Sequence, residues 1–151
     1  MKHLRKEDIL LVNEMTVEKH GGKFVPPFNI LNEDPLDYLV DAIKSSIFGQ
    51  PLYKEIYEKA GVYMYTIING HIFHDGNKRA GLASALLFLK MNKCVLNEEI
   101  KKTITKSGKL TPEIGSTNIE LLVQFTLEVA SGKIELEECQ NWFKENTQCT
   151  N

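Results

Sequence analysis

One nine-residue stretch, His71-Ile72-Phe73-His74-Asp75-Gly76-Asn77-Lys78-Arg79, sets a base, a carboxylate and two full cations around a glycine. Each residue type suggests a part in phosphate chemistry. An imidazole is the side chain suited to taking a proton from a hydroxyl near neutrality, which makes His71 the candidate general base. Asp75 could hold Mg²⁺, an ion that binds through one or two carboxylates together with substrate phosphates. Gly76 lets a backbone approach a ligand closely. Asn77 can cap a helix or bond a phosphate oxygen, and Lys78 and Arg79 add charged donors. Taken singly, most of these residues have plainer uses. His71 could cap helix carbonyls, Asn77 could cap the next helix, and His74 could be an exposed neighbour. Phe73 reads as a core anchor under any interpretation. The oddity is two cations at the wrong end of a helix for its dipole, which a bound anion would relieve. Together the residues are the parts of a phosphoryl or nucleotidyl transfer site.

The elements that must hold this segment are helical. Lys6 to His20 has Ile9, Val12 and Met15 on one stripe, and Gly21-Gly22 stops it. Lys23 to Glu33, with Pro26-Pro27, reads as a loop or short extended flap. Asp34-Pro35 opens a second helix carrying Leu36, Leu39, Val40, Ile43 and Ile47, closed by Gly49 and Pro51. Leu52 to Asn69 is a third, running into the polar segment. The fourth begins near Asn77 or Lys78 and ends near Met91. Leu82, Ala83 and the run Ala85 to Leu89 leave it almost no polar face, as expected of a buried central helix. Further helices are expected over 97–105, 118–130 and 135–145, the last with Leu136, Cys139, Trp142 and Phe143 at core spacing. Strand patterns are nearly absent. The fold class is therefore all-α, a compact bundle of about six to eight helices around the helix at about 78–91.

The totals set limits. A chain of 151 residues favours a single domain, 1–151, able to bury a core unaided. A net charge of −2 leaves no basic footprint for direct nucleic-acid binding. The apolar run Ala80 to Leu89 is too short to span a bilayer, and the N-terminal residues form no apolar signal core, so neither membrane insertion nor export is expected. Cys94, Cys139 and Cys149 show no C-x-x-C spacing, which predicts reduced thiols and a cytoplasmic protein.

The polar segment matches H-x-F-x-[DE]-[GA]-N-[GK]-R, the motif of the Fic/Doc superfamily, and the chain resembles most its Doc (death-on-curing) branch of toxin–antitoxin toxins. Gly21-Gly22, the helix leading into the motif, the apolar helix after it and the terminal helix with Trp142 resemble the family's layout too. The resemblance implies a Fic/Doc-type helical fold. It implies His71 as catalytic base, Phe73 as loop anchor, Asp75 as Mg²⁺ ligand, and Gly76, Asn77 and Arg79 as phosphate contacts. Lys78 stands where the AMP-transferring pattern has Gly, and Leu82 where that pattern has a second Arg. Both departures resemble Doc, whose prototype is a kinase of elongation factor Tu. In that branch the lysine is thought to hold the nucleotide reversed, with its γ-phosphate presented.

The implied reaction is phosphate transfer from ATP (or another NTP), with Mg²⁺, to a hydroxyl of a cellular protein such as elongation factor Tu. The alternative is AMP transfer. The flap at 23–33 would align the target segment. No [ST]-x-x-x-E-[GN] inhibitory helix is evident, so restraint would come from a separate cognate antitoxin. Three rivals fall short. An HD-type phosphohydrolase built on His74-Asp75 needs a downstream Asp, and none follows Asp75. A zinc hydrolase needs H-E-x-x-H geometry and a third ligand. A non-catalytic antitoxin-binding module would not need the intact motif.

Overall fold

In the computed structural model of the chain, residues 1–101 and 117–151 are described, together with the backbone pairing of Ile104–Thr105 with Gly108–Lys109. Six helices lie among the described residues: α1 (Lys6–His20), α2 (Asp34–Ala42), α3 (Ile56–Asn69), α4 (Asn77–Met91), α5 (Asn118–Ala130) and α6 (Leu136–Asn146). Local chemistry sets several starts. The Asp8 carboxylate accepts the Arg5 N–H ahead of α1, Glu58 accepts the Lys54 and Glu55 N–H groups ahead of α3, and Glu138 accepts the Glu135 N–H ahead of α6. The Thr117 hydroxyl accepts the Glu120 N–H at the head of α5.

The fold is helical, as expected, with α3 sharing the central place expected of α4. α3 packs mainly on α4 and α6 and touches α2 and α5, while α4 lies between α3 and α1. At their shared interface Gly81 lies against Met64 and Ile68, and Ala80, Ser84 and Ala85 of the same helix are also buried. On the far side of α3, Phe125 stacks on Trp142 with ring centroids 4.0 Å apart, and Phe143 meets both edge-on.

Several expectations need correcting. The second helix stops at Ala42, and Ile47 belongs instead to a hairpin, β1 (Ser46–Ile47) with β2 (Gln50–Pro51), whose tip residue Phe48 is wholly exposed. Gly49, at φ 78°, turns this hairpin rather than ending a helix. The third helix starts at Ile56, not Leu52. Residues 97–101 are not helical, and the rest of the helix expected over 97–105 lies outside the described residues save for extended Ile104–Thr105 (β4), paired with Gly108–Lys109 (β5). α1 is rotated from the expected stripe. Ile9, Asn13 and Val17 face inward, and Met15 is 58% exposed.

The cysteine reading also changes. β3 (Cys94–Leu96) pairs antiparallel with β6 (Thr147–Cys149), which sets Cys94 opposite Cys149, and the two are joined as a disulfide. A separation of 55 residues carries no spacing signal, so only the fold reveals the pair. Cys139 alone is free, and buried. The argument from unpaired thiols to compartment therefore falls. No helix among the described residues is long and apolar enough to cross a membrane.

The N-terminal arm is tied down beside α3. Leu4 is buried, and its N–H donates to the Tyr63 hydroxyl at 2.9 Å. His3 Nε2 lies 2.8 Å from the Nζ of Lys59, itself buried. Burial, then the charges of Lys59, the α-amino group and Lys44, hold His3 below the ordinary imidazole value of 6.5. The fold thus prefers neutral His3, while the unfolded chain takes up the proton sooner. Stability from this site is complete above about pH 6.5 and declines as the pH falls below it. Denaturant melts between about pH 7.5 and about pH 5 are expected to show a steeper loss in the wild-type chain than in His3→Gln.

Candidate functional site

The site forms where α3 runs out. Gly70 N–H closes the helix on the Thr66 carbonyl at 2.8 Å. His71 follows with φ 47°, a left-handed conformation costing a residue with a Cβ roughly 1–2 kcal/mol. Its imidazole is exposed and has no hydrogen-bond partner among the described residues. The chain then turns extended. Ile72 and Phe73 are buried, Phe73 as the anchor expected, and they run beside residues 29–32. The Ile72 carbonyl accepts the N–H groups of Leu31 (2.7 Å) and Asn32 (3.0 Å), and His74 N–H donates to the Asn29 carbonyl (2.9 Å). The end of the loop expected as a flap is thus a wall against the motif.

Asn77 closes the next turn. Its Oδ1 accepts the Phe73 N–H at 2.9 Å and its Nδ2 donates to the Phe73 carbonyl at 2.8 Å. Both ends of the amide are engaged, which leaves the second Nδ2 hydrogen and the backbone N–H as the donors a phosphate could meet at this position. The N–H groups of Asn77, Lys78 and Arg79 have no intrahelical acceptors, being the first turn of α4. Gly76 precedes them at φ 81°, and a Cβ there would lie 3.0 Å from Asn13 Nδ2 and 3.2 Å from Val17 Cγ2. The left-handed conformation favours glycine, and α1 lies close enough that a Cβ would have to displace Asn13 or Val17 slightly.

Asp75 stands at the mouth of this turn, exposed. Its Oδ2 accepts the Lys23 N–H at 2.9 Å and its Oδ1 accepts the Gly76 N–H at 2.8 Å. The Lys23 bond first, then the Gly76 bond, then the charges of Arg79 and Lys78, hold its carboxyl below the ordinary value. Asp75, Lys78 and Arg79 therefore lie within electrostatic reach of one another at a helix N-terminus. A carboxylate kept ionised, beside free N–H groups and two exposed cations, can hold an anion and its accompanying cation.

With this geometry in view, the comparisons are specific. The profile of the Fic/DOC family matches residues 3–89, more than half of the chain. The chain belongs to the Fic/DOC family. Among its relatives are the protein kinase Doc of Escherichia phage P1, 29% identical over 122 residues (79% of this chain, 90% of the relative). The toxin Doc of Mycolicibacterium smegmatis is 23% identical over 120 residues (80% and 85%).

The Fic/DOC motif of this chain also fits the cation that such a site implies. Asp75 offers hard oxygen donors held ionised. Among the described residues no three His, Cys, Asp or Glu side chains group to bind a metal by themselves. A cation at Asp75 would therefore rely on phosphate oxygens for much of its shell, as Mg²⁺ does.

Sequence reasoning missed the part that four residues play at this site. Asn13 and Asn29 are completely buried, and Asn13 Nδ2 donates to the Asp75 carbonyl at 2.9 Å. Asn29 Nδ2 donates to Asn13 Oδ1 (3.0 Å) and to the Asp75 carbonyl (3.3 Å). Asn32 Nδ2 donates to the His71 carbonyl at 2.9 Å. The fourth is Gly22, at φ 124°, where a Cβ would meet Asp75 Oδ2 at 2.7 Å. One signal was available: Asn13 sits midway between Ile9 and Val17 on a single i, i+4 stripe.

Gly22→Ala is expected to push the Lys23 N–H off Asp75. A carboxyl with a lowered value in the fold adds stability above about 3.8, and this is lost as the pH falls through its folded value. The variant should show an Asp75 carboxyl titrating closer to 3.8 by NMR, and a lower stability at neutral pH that changes less on acidification.

Proposed function

We propose that the chain is a Doc-like toxin that transfers the γ-phosphate of ATP, or another NTP, to a hydroxyl of a cellular protein. The observation that carries this reading is the grouping of Asp75, Lys78 and Arg79 at the N-terminus of α4, with His71 exposed at the head of the same loop. The names of the two relatives, a protein kinase and a toxin, support the same direction. Lys78 in place of Gly, and Leu82 in place of a second Arg, favour phosphate over AMP transfer.

On this reading His71 takes the proton of the target hydroxyl. The hydroxyl oxygen attacks the γ-phosphorus, the bond to the β-phosphate oxygen breaks, and ADP leaves. The backbone N–H groups opening α4, with Lys78 and Arg79, hold the phosphates and stabilise the charge that spreads over them. Asp75 would hold Mg²⁺, which supplies charge neutralisation on the phosphates. Elongation factor Tu is the target this reading favours, and the protein would act in the cytoplasm. A cognate antitoxin peptide would restrain it, since the sequence shows no inhibitory helix of its own.

The test uses purified chain, a cell extract and ATP labelled on either the α or the γ phosphate. The γ label should reach protein and the α label should not. His71→Ala should lower incorporation by at least about 100-fold with its helical spectrum unchanged. Lys78→Gly combined with Leu82→Arg should move incorporation toward the α label. Transfer of the α label by the wild-type chain would instead make it an AMP transferase.

A further inference from the structure

The motif loop carries two functional groups that face different demands. His71 must sit in a backbone conformation that L-residues avoid, and Asp75 must sit at the base of a left-handed turn. Among the hydrogen bonds of the described residues, no motif side chain supports His71, and at the Asp75 turn the motif supplies only the Asp75 carboxylate on the Gly76 N–H. Asn77, the one motif amide, is spent on Phe73, between them.

The donors come from outside the motif. Asn32, exposed at the end of the 22–33 loop, aims Nδ2 at the His71 carbonyl at 2.9 Å, and at a weaker 3.5 Å to that of Gly70. This is the peptide unit that follows the strained φ of 47°. Asn13 on α1 and Asn29 in the loop converge instead on the Asp75 carbonyl, at 2.9 and 3.3 Å. Asn29 is fixed in its turn. Its Oδ1 accepts the Val25 N–H at 2.8 Å, its carbonyl accepts the His74 N–H, and its own φ is 61°, which asparagine tolerates better than most residues. A buried amide pair with all these bonds made is stiff, because loosening any member strands a polar group away from water.

We infer that three asparagines outside the motif act as positioning residues for the site in two separable units. Asn32 sets the reach of His71. The Asn13–Asn29 pair sets Asp75 and the Gly76 turn. The inference rests on the transfer reading for its kinetic consequences, but its structural half stands without it. The two units bear on different steps. Misplacing the base by a fraction of an ångström slows the chemical step, whereas loosening the support of a metal-binding carboxylate weakens metal and nucleotide binding.

The test compares Asn32→Ala, Asn13→Ala and Asn29→Gly in the full chain. Asn29→Gly keeps the left-handed backbone available while removing the amide, and serves if Asn13→Ala folds poorly. Asn32→Ala should lower kcat by on the order of 10–100-fold, with the Mg²⁺ and ATP half-saturation values little changed. Asn13→Ala and Asn29→Gly should raise the Mg²⁺ half-saturation by roughly 10–100-fold, with kcat at saturating Mg²⁺ largely kept. Equal losses of one parameter in all three variants, tracking their melting temperatures, would overturn the inference, since that is what general destabilisation gives. A second readout does not depend on activity. Residue-resolved hydrogen exchange should quicken at Gly76 and Lys23, the two N–H groups on Asp75, in Asn13→Ala and Asn29→Gly but not in Asn32→Ala. If the wild-type chain transfers no label, the transfer reading fails, and exchange alone then decides the inference. Quickening at those two amides in all three variants, or in none, sinks it.

Discussion

A carbonyl turned inward behind a helix N-terminus must find a donor, and the Asp75 carbonyl is such a group. Left unpaired it would cost roughly 1–3 kcal/mol. Two buried asparagines meet it, and much of the architecture follows from bringing them there. α1 must present Asn13 inward, which turns Met15 out to solvent. The loop after α1 must double back to deliver Asn29, which lays residues 29–32 along the motif and supplies the ladder to Ile72 and His74. The approach of α1 in turn makes the space for a Cβ at Gly76 tight. A single satisfied polar contact thus couples the first helix, the proline-bearing loop and the N-terminus of α4.

How much of this was legible in the sequence follows from the range of the forces involved. Helix periodicity is local, so α1, α3, α4, α5 and α6 could be read to within a few residues. The chemistry of the motif is local as well, and the structure brings Asp75, Lys78 and Arg79 together as its spacing suggests. The hairpin at 46–51 was misread because Ile47 continues the helical stripe of α2 by coincidence of spacing. Periodicity alone does not register that Gly49 sits between two short extended pairs. The Cys94–Cys149 pair and the asparagine contacts depend on residues 16 to 62 positions apart, where no pattern in one sequence speaks. Asn13 is the exception, a polar residue placed squarely on an apolar stripe.

Asn77 shows how a motif residue can carry a structural task that its type alone does not reveal. An amide at the start of a helix suggests a cap or a ligand. Here its amide does not cap α4 but pairs with Phe73, because the turn from Phe73 to Asn77 presents both the N–H and the carbonyl of Phe73 to it. Only a side chain with one donor and one acceptor at fixed separation satisfies both. Aspartate would lose the donor, and serine would not span the distance.

The remaining asymmetry is electrostatic. α4 opens with Lys78 and Arg79 where the helix dipole already presents partial positive charge, an arrangement that disfavours the empty site. Asp75 offsets part of this, and does so from a fixed position, its two oxygens held by Lys23 and Gly76. One carboxylate against two cations and a helix N-terminus still leaves the turn net positive. On the proposed reading an anion relieves this charge, and a polyphosphate with its cation would supply both signs of charge at once. On the proposed reading the backbone is arranged beforehand for that charge. The loop does not have to reorganise when the nucleotide arrives, and the energy of binding can be directed to the γ-phosphate as it transfers.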